Sequence, residues 1–311
     1  MSRGLCKIAG MKRLALIPLL LAAAPAPVVM PSPNEIVAAA PAGDWVAIDP
    51  TDLLVMELAP DTKGKPRRVV IQLMPPPFSQ GWIGNIRKLA GAHWWDGTSI
   101  NRVQDNYVVQ WGDASEKKPL PEGLVTVGEG AYAQPVSKEE NEQLGKLGLI
   151  DSYAEAVDIV AGFPLAQVGD LYWPVHCYAM VGVGRNLSPD TGTGAELYTV
   201  IGHAPRHLDR NIALVGRVIE GIEHLSSLPR GTGALGFYET VEERVPILSV
   251  RIGTEVQSLP AFQYLSTESE SFARYADARA NRRDPFFIKP AGGADICNIV
   301  VPVRRVVSPV Q

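Results

Sequence analysis

Short apolar runs cut by turn residues recur along most of the chain. Runs at 52–58 (DLLVMEL) and 68–73 (RVVIQL) are separated by Pro60, Gly64 and Pro66, which predicts a hairpin. Pro75 to Pro77 end the second strand. Ser79 is placed to cap a helix running to Leu89, with Trp82, Ile86 and Leu89 on one stripe. After an Asp96-Gly97 turn come a strand through Arg102 and another at 107–110. Residues 114–170 are polar and rich in Gly and Pro, and read as a surface excursion. That stretch holds an acidic patch (Glu139, Glu140, Glu142), read as a solvated face, and one short helix is expected near 153–160. Strands are predicted again at 177–183, 196–201 and 212–218, then a short helix at 221–228 stopped by Pro229 and Gly231. A second excursion, 231–290, holds a strand at 246–252 and an amphipathic helix near 268–282. The run 298–307 (NIVVPVRRVV) reads as a closing strand.

The beginning follows another pattern. Lys7, Lys12 and Arg13 precede the apolar run 14–24, and Ala/Pro-rich sequence continues to Ala42. A positive start, a short apolar segment and small residues read as a secretory signal. The run is short for a permanent membrane span. Cleavage between Ala24 and Ala42 is expected, with retention as an anchor the alternative, and Met11 can serve as the start. The expected organisation is a signal and linker over 1–43 and one folded domain over 44–311, monomeric and periplasmic. Membrane contact would come only through an uncleaved signal.

Composition narrows the class. With 46% hydrophobic and 20% charged residues, the 311-residue chain is globular, and 29 Gly and 26 Pro favour β structure with loops. Losing residues 1–40 removes four cations and one anion, which moves the net charge from −4 to −7. Nothing basic suggests a nucleic-acid groove. Cys6 leaves with the signal; Cys177 and Cys297 sit in apolar runs and can pair or stay as buried thiols. His203 and His207 are four apart, but Pro205 lies between them and no third ligand is near, so no metal is expected.

Candidate chemistry concentrates at 95–113. There WWDGTSINRV is followed by YVVQWGD. This segment resembles the cyclophilin signature, "YDGT.FHRV" followed by "FMIQGGD". Downstream, LDRNIALVGRVIEG (208–221) resembles that family's "LDGKHVVFGKVxEG". MVGVG (180–184) stands for "MANAG", and AELY (195–198) for "SQFF". The blocks are in the family's order and, with the first hairpin and helix, cover roughly 52–113 and 177–230.

The resemblance implies a mainly β fold: a closed eight-stranded antiparallel barrel capped by two helices (79–89 and 221–228), with insertions at 114–175 and 231–297. The closing strand near Val300 would pair with the N-terminal strands. It implies a peptidyl-prolyl cis-trans isomerase needing no cofactor, with proline-containing polypeptides as substrates. A prolyl amide resists rotation by about 18–20 kcal/mol. A guanidinium that donates to the prolyl nitrogen as it becomes pyramidal acts mainly in the transition state, the condition for raising rate. By resemblance Arg102 is that donor and Gln110 binds the substrate backbone. Tyr107, Val108, Tyr198 and Leu208 would line the proline pocket, with Glu196, Gly182 and His207 at the groove.

Several positions depart from the family. Asn101 replaces a His, Glu196 a Gln, Gly182 an Asn, Ile212 a His, and His207 stands where a Trp grips cyclosporin in several members. Trp111 replaces a Gly and is expected to crowd the groove. Glu196 brings a negative charge near Arg102. These changes motivate the alternative reading, a barrel that binds peptide as a chaperone with weak or no catalysis.

Overall fold

The structure is a computed structural model that describes residues 30–136 and 145–306. The apolar part of the expected signal and the acidic patch at Glu139–Glu142 lie outside the described residues. Its strands are β1 (Trp45–Ile48), β2 (Leu53–Leu58), β3 (Arg67–Leu73), β4 (Ser99–Val103), β5 (Val108–Gly112), β6 (Gln134–Pro135), β7 (Ala156–Val160), β8 (Phe163–Val168), β9 (Leu171–Pro174), β10 (Met180–Val183), β11 (Leu197–Val200), β12 (Leu214–Glu220), β13 (Val245–Ile252), β14 (Phe262–Leu265) and β15 (Val303–Arg305). The α-helices are α1 (Pro33–Ala38), α2 (Gln80–Gly91), α3 (Glu223–Ser226) and α4 (Glu270–Ala280).

Eight strands close into an antiparallel barrel in the order β10-β11-β5-β4-β13-β2-β3-β12, which leaves no free sheet edge. Period-2 alternation sends Met56, Ile71, Ile100, Val109 and Leu197 into one buried core. Helix α2 follows β3 and α3 follows β12. These strands are antiparallel neighbours, so the two helices sit at opposite ends of the barrel. Helix α2 buries Trp82, Ile86 and Leu89, and the Trp82 indole donates to the Gly192 carbonyl at 3.0 Å. The second capping helix is shorter than expected, a single turn that buries Leu225.

The eighth barrel strand is β13, not the predicted C-terminal run. β13 alternates Ile247, Val250 and Ile252 toward the interior and pairs with β2 and β4. The run near Val300 carries Pro302, Arg304 and Arg305, which suit an edge. Its strand β15 lies outside the barrel in a three-stranded sheet, β1-β14-β15. The helix expected near 153–160 is also corrected. Val157 and Ile159 are β-branched and buried, and β7 joins a four-stranded sheet, β6-β9-β8-β7.

The N-terminal linker is shorter than expected. Ser32 caps α1 through a capping box with Glu35, Ile36 is buried, and α1 packs against α4. Cys177 and Cys297 are bonded (S–S 2.01 Å), joining the approach to β10 with the turn before β15.

Candidate active site

Strand pairing builds the site. Arg102 on β4 faces Gln110 on β5, Gln110 faces Tyr198 on β11, and Tyr198 faces Gly182 on β10. Directly paired residues share a face, so these four form one row across the outside of the barrel. At about 4.8 Å per strand the row spans roughly 14 Å, the length of a short extended peptide. A bulge inserts Asn101, without a partner of its own, between the Ile100–Trp111 and Arg102–Gln110 pairs. Ile100 therefore points in, and Arg102, two residues on, is aimed out.

Arg102 is held from several sides. Its Nε–H donates to the Leu235 carbonyl at 2.8 Å, one Nη to Gln110 Oε1 at 3.2 Å, and the other to Gln104 Oε1. The rings of Phe237 and Tyr107 lie 5.1 and 5.7 Å from its guanidinium carbon. Arginine carries five N–H donors, so this clamp leaves two for a ligand. Burial lowers the Arg102 pKa, opposed by Tyr107. Sequence reasoning missed Gln104, Leu235 and Phe237. The last two belong to the second excursion, which runs along β4 beyond its pairing with β13.

On one side of Arg102 lies an apolar patch. Val108, Tyr198 and Val200 form a small buried cluster against which Tyr107 and Ile212 pack. The exposed His207 ring stacks on Tyr107 (centroids 6.3 Å, planes 11° apart). Leu208, expected in this pocket, is half-buried in the one-turn helix Arg206–Leu208 and is not part of the cluster. Its carbonyl accepts from Ile212 N–H at 3.2 Å, and that turn brings Ile212 to the patch instead.

On the other side lies a polar basin of about 610 Å³, lined among others by Asn101, Gln110, Asp113, Glu196 and Arg185. Glu196 does not pair with Arg102. Its carboxyl accepts from the side chains of Asn101 and Gln110 and from the backbone N–H of Asp113. Burial pushes its pKa up to about 7 against those hydrogen bonds. The Gln110 amide is thus oriented at both ends, its nitrogen toward Glu196 and its oxygen toward Arg102. Trp111 does not crowd the groove. As the neighbour of an outward Gln110 it points inward and is 1% exposed in the barrel core.

The family model "Cyclophilin type peptidyl-prolyl cis-trans isomerase/CLD" matches residues 68–252, more than half of the chain. The chain belongs to the cyclophilin-type peptidyl-prolyl cis-trans isomerase family. Among solved structures it is similar to cyclophilin AquaCyp293 from Hirschia baltica, with a TM-score of 0.65 and 21% identity over 86% of this chain and 95% of that one. That likeness concerns the fold, and its high coverage of both chains reaches beyond the barrel. A Cryptosporidium parvum cyclophilin-type isomerase, solved in the presence of the dipeptide Ala-Pro, aligns at a TM-score of 0.38 and 10% identity over 64% of this chain and 98% of that one. No curated protein matches the sequence.

As a cyclophilin, the protein is an enzyme that rotates Xaa-Pro amides. The cyclophilin-type match ends at Ile252, the last residue of the closing strand β13. The two excursions are not idle additions to this barrel. One contributes that strand and the Leu235 carbonyl on Arg102. The other contributes the sheet β6-β9-β8-β7 and the loop holding Asp151.

Proposed function

We propose that this cyclophilin isomerises Xaa-Pro bonds of exported proteins during folding, with Arg102 as the catalytic donor. The observation that carries the reading is the row Arg102–Gln110–Tyr198–Gly182 beside the Val108–Tyr198–Val200 patch, on one outer face of the barrel. A proline ring laid on that patch brings its amide nitrogen to the Arg102 side. The two uncommitted N–H groups of Arg102 can then donate as the nitrogen turns pyramidal. Gln110, fixed by Glu196, binds the peptide carbonyl or N–H beside it. No covalent bond changes, so the groove needs neither nucleophile nor metal.

Export to the periplasm is supported by the basic and apolar N-terminal sequence and by the Cys177–Cys297 bond, which suits an oxidising compartment. Cleavage upstream of Ser32 would leave the capped helix α1 whole.

A proline-peptide isomerisation assay on wild type and Arg102→Ala tests the catalytic claim. A large loss is expected in the variant. Equal rates at background would instead assign the groove to peptide holding without catalysis. Cell fractionation with N-terminal sequencing of the mature chain tests export, and a cytoplasmic, unprocessed protein would refute it.

A further inference from the structure

The hydroxyl of Tyr198 turns away from the groove into a buried chain of polar groups. It lies 2.8 Å from His176 Nε2, with the two rings nearly parallel. His176 is fully buried. Asp209 Oδ1 lies 2.9 Å from His176 Nδ1 and accepts from the His176 backbone N–H at 3.0 Å. Asp209 Oδ2 accepts from Arg206 Nε at 2.7 Å, and Arg206 forks onto Asp151 at 2.6 and 3.1 Å. Gly182 makes the tilt of Tyr198 possible. A Cβ at Gly182 would lie 2.4 Å from Tyr198 Cζ and Oη.

The protons in this chain can be placed. Burial would raise the pKa of Asp209, but His176 and Arg206 hold it below its ordinary value, so it is a carboxylate that only accepts. Burial lowers the pKa of His176 despite Asp209, so its imidazole is neutral and carries one ring proton. That proton must sit on Nδ1, facing Asp209. Nε2 is therefore bare, and Tyr198 is the donor to it.

We propose that Tyr198, His176 and Asp209 form a positioning latch that fixes the aromatic wall of the prolyl pocket, with Gly182 giving the ring room and Arg206–Asp151 anchoring the latch in the first excursion. The inference rests on the reading of the groove given above. Tyr198 presents only its ring to a proline, because its hydroxyl is spent on His176. The paired departures from the family, Tyr for Phe and Gly for Asn, are one exchange. The hydroxyl needs the space that the lost side chain vacates.

The test uses the full-length protein and an Ala-Pro-containing peptide. Imidazole ¹⁵N NMR is expected to show His176 protonated at Nδ1 and bare at Nε2. Tyr198→Phe should move the Nε2 signal and weaken peptide binding about 3- to 10-fold by titration, with kcat within about twofold. Gly182→Ala, which removes none of the latch's polar groups but puts a Cβ against the Tyr198 ring, should weaken binding in the same direction. Tyr198→Phe should also lower the melting temperature, because His176 Nε2 is left buried without its donor. A proton on Nε2, unchanged affinity in both single variants, or a melting temperature unmoved by Tyr198→Phe would each overturn the latch. Arg102→Ala judges the catalytic reading separately, since the tautomer and the titration do not depend on turnover.

Discussion

Two glycines in the groove make room for two side chains, and the two ends they serve behave differently. At the Arg102 end, a Cβ on Gly112 would fall 1.9 Å from Glu196 Oε1, so Gly112 admits the Glu196 carboxyl. At the other end Gly182 admits the phenol of Tyr198. Glu196 stays partly exposed, with a pKa near neutrality, beside an open basin. Tyr198 is 4% exposed and joined to groups that are all buried. On the proposed reading of the groove, the same device yields an adjustable polar half, where the amide would twist, and a rigid apolar half, where the ring would be held.

The largest effects should come from breaking the rigid half. Asp209→Ala leaves Arg206 and His176 buried without their shared acceptor. It should cost about 3–5 kcal/mol of stability, read as a lowered urea midpoint. Cys177 adjoins His176, and its bond to Cys297 closes a separation of 120 residues. Cys177→Ser with Cys297→Ser should cost about 2–4 kcal/mol, also by urea unfolding. A smaller loss would mean that the C-terminal arm holds itself in place without the bond.

The polar half should show its effects in rate. Arg102→Ala should lower kcat/KM roughly 10- to 150-fold, the worth of one charge-assisted hydrogen bond, with little change in stability. The smallest effect belongs to Glu196. As pH rises through about 7 its carboxyl ionises and accepts firmly from Gln110. We expect kcat/KM to rise about two- to threefold across that range, and Glu196→Gln to flatten the profile. Stability should move the opposite way. The folded chain holds the Glu196 proton more tightly than the unfolded chain, whose pKa is near the ordinary 4.5. This contribution to stability is therefore full below about 4.5, falls as pH climbs to 7, and is flat beyond. A pH profile unchanged in Glu196→Gln would remove Glu196 from the control of Gln110.

Much of the barrel was legible because its strands alternate cleanly and its motifs keep fixed spacing. The strands carrying Arg102, Gln110 and Tyr198 lie close to where the apolar pattern puts them. The helix at 153–160 was misread because a short apolar run does not reveal its period. The barrel's last strand was misassigned because 246–252 and 298–307 look alike locally, and only pairing with β2 and β4 tells them apart. His176 was invisible as a site residue. Sequence places it at the entry to an apolar run, and nothing there shows that Tyr198 and Asp209, 22 and 33 residues on, meet it. Leu235 went unseen for a similar reason, since its carbonyl acts on Arg102 from 133 residues away.

The pairing of Leu54 with Ile252 carries a consequence for assembly. Strands β2 and β4 keep raw edges until β13 has been made and delivered, so a chain emerging amino end first waits with its cylinder split along one seam. An enzyme of proline bonds is itself a late closer, open to strand-pairing with neighbours until the chain has been made through Ile252 of its 311 residues.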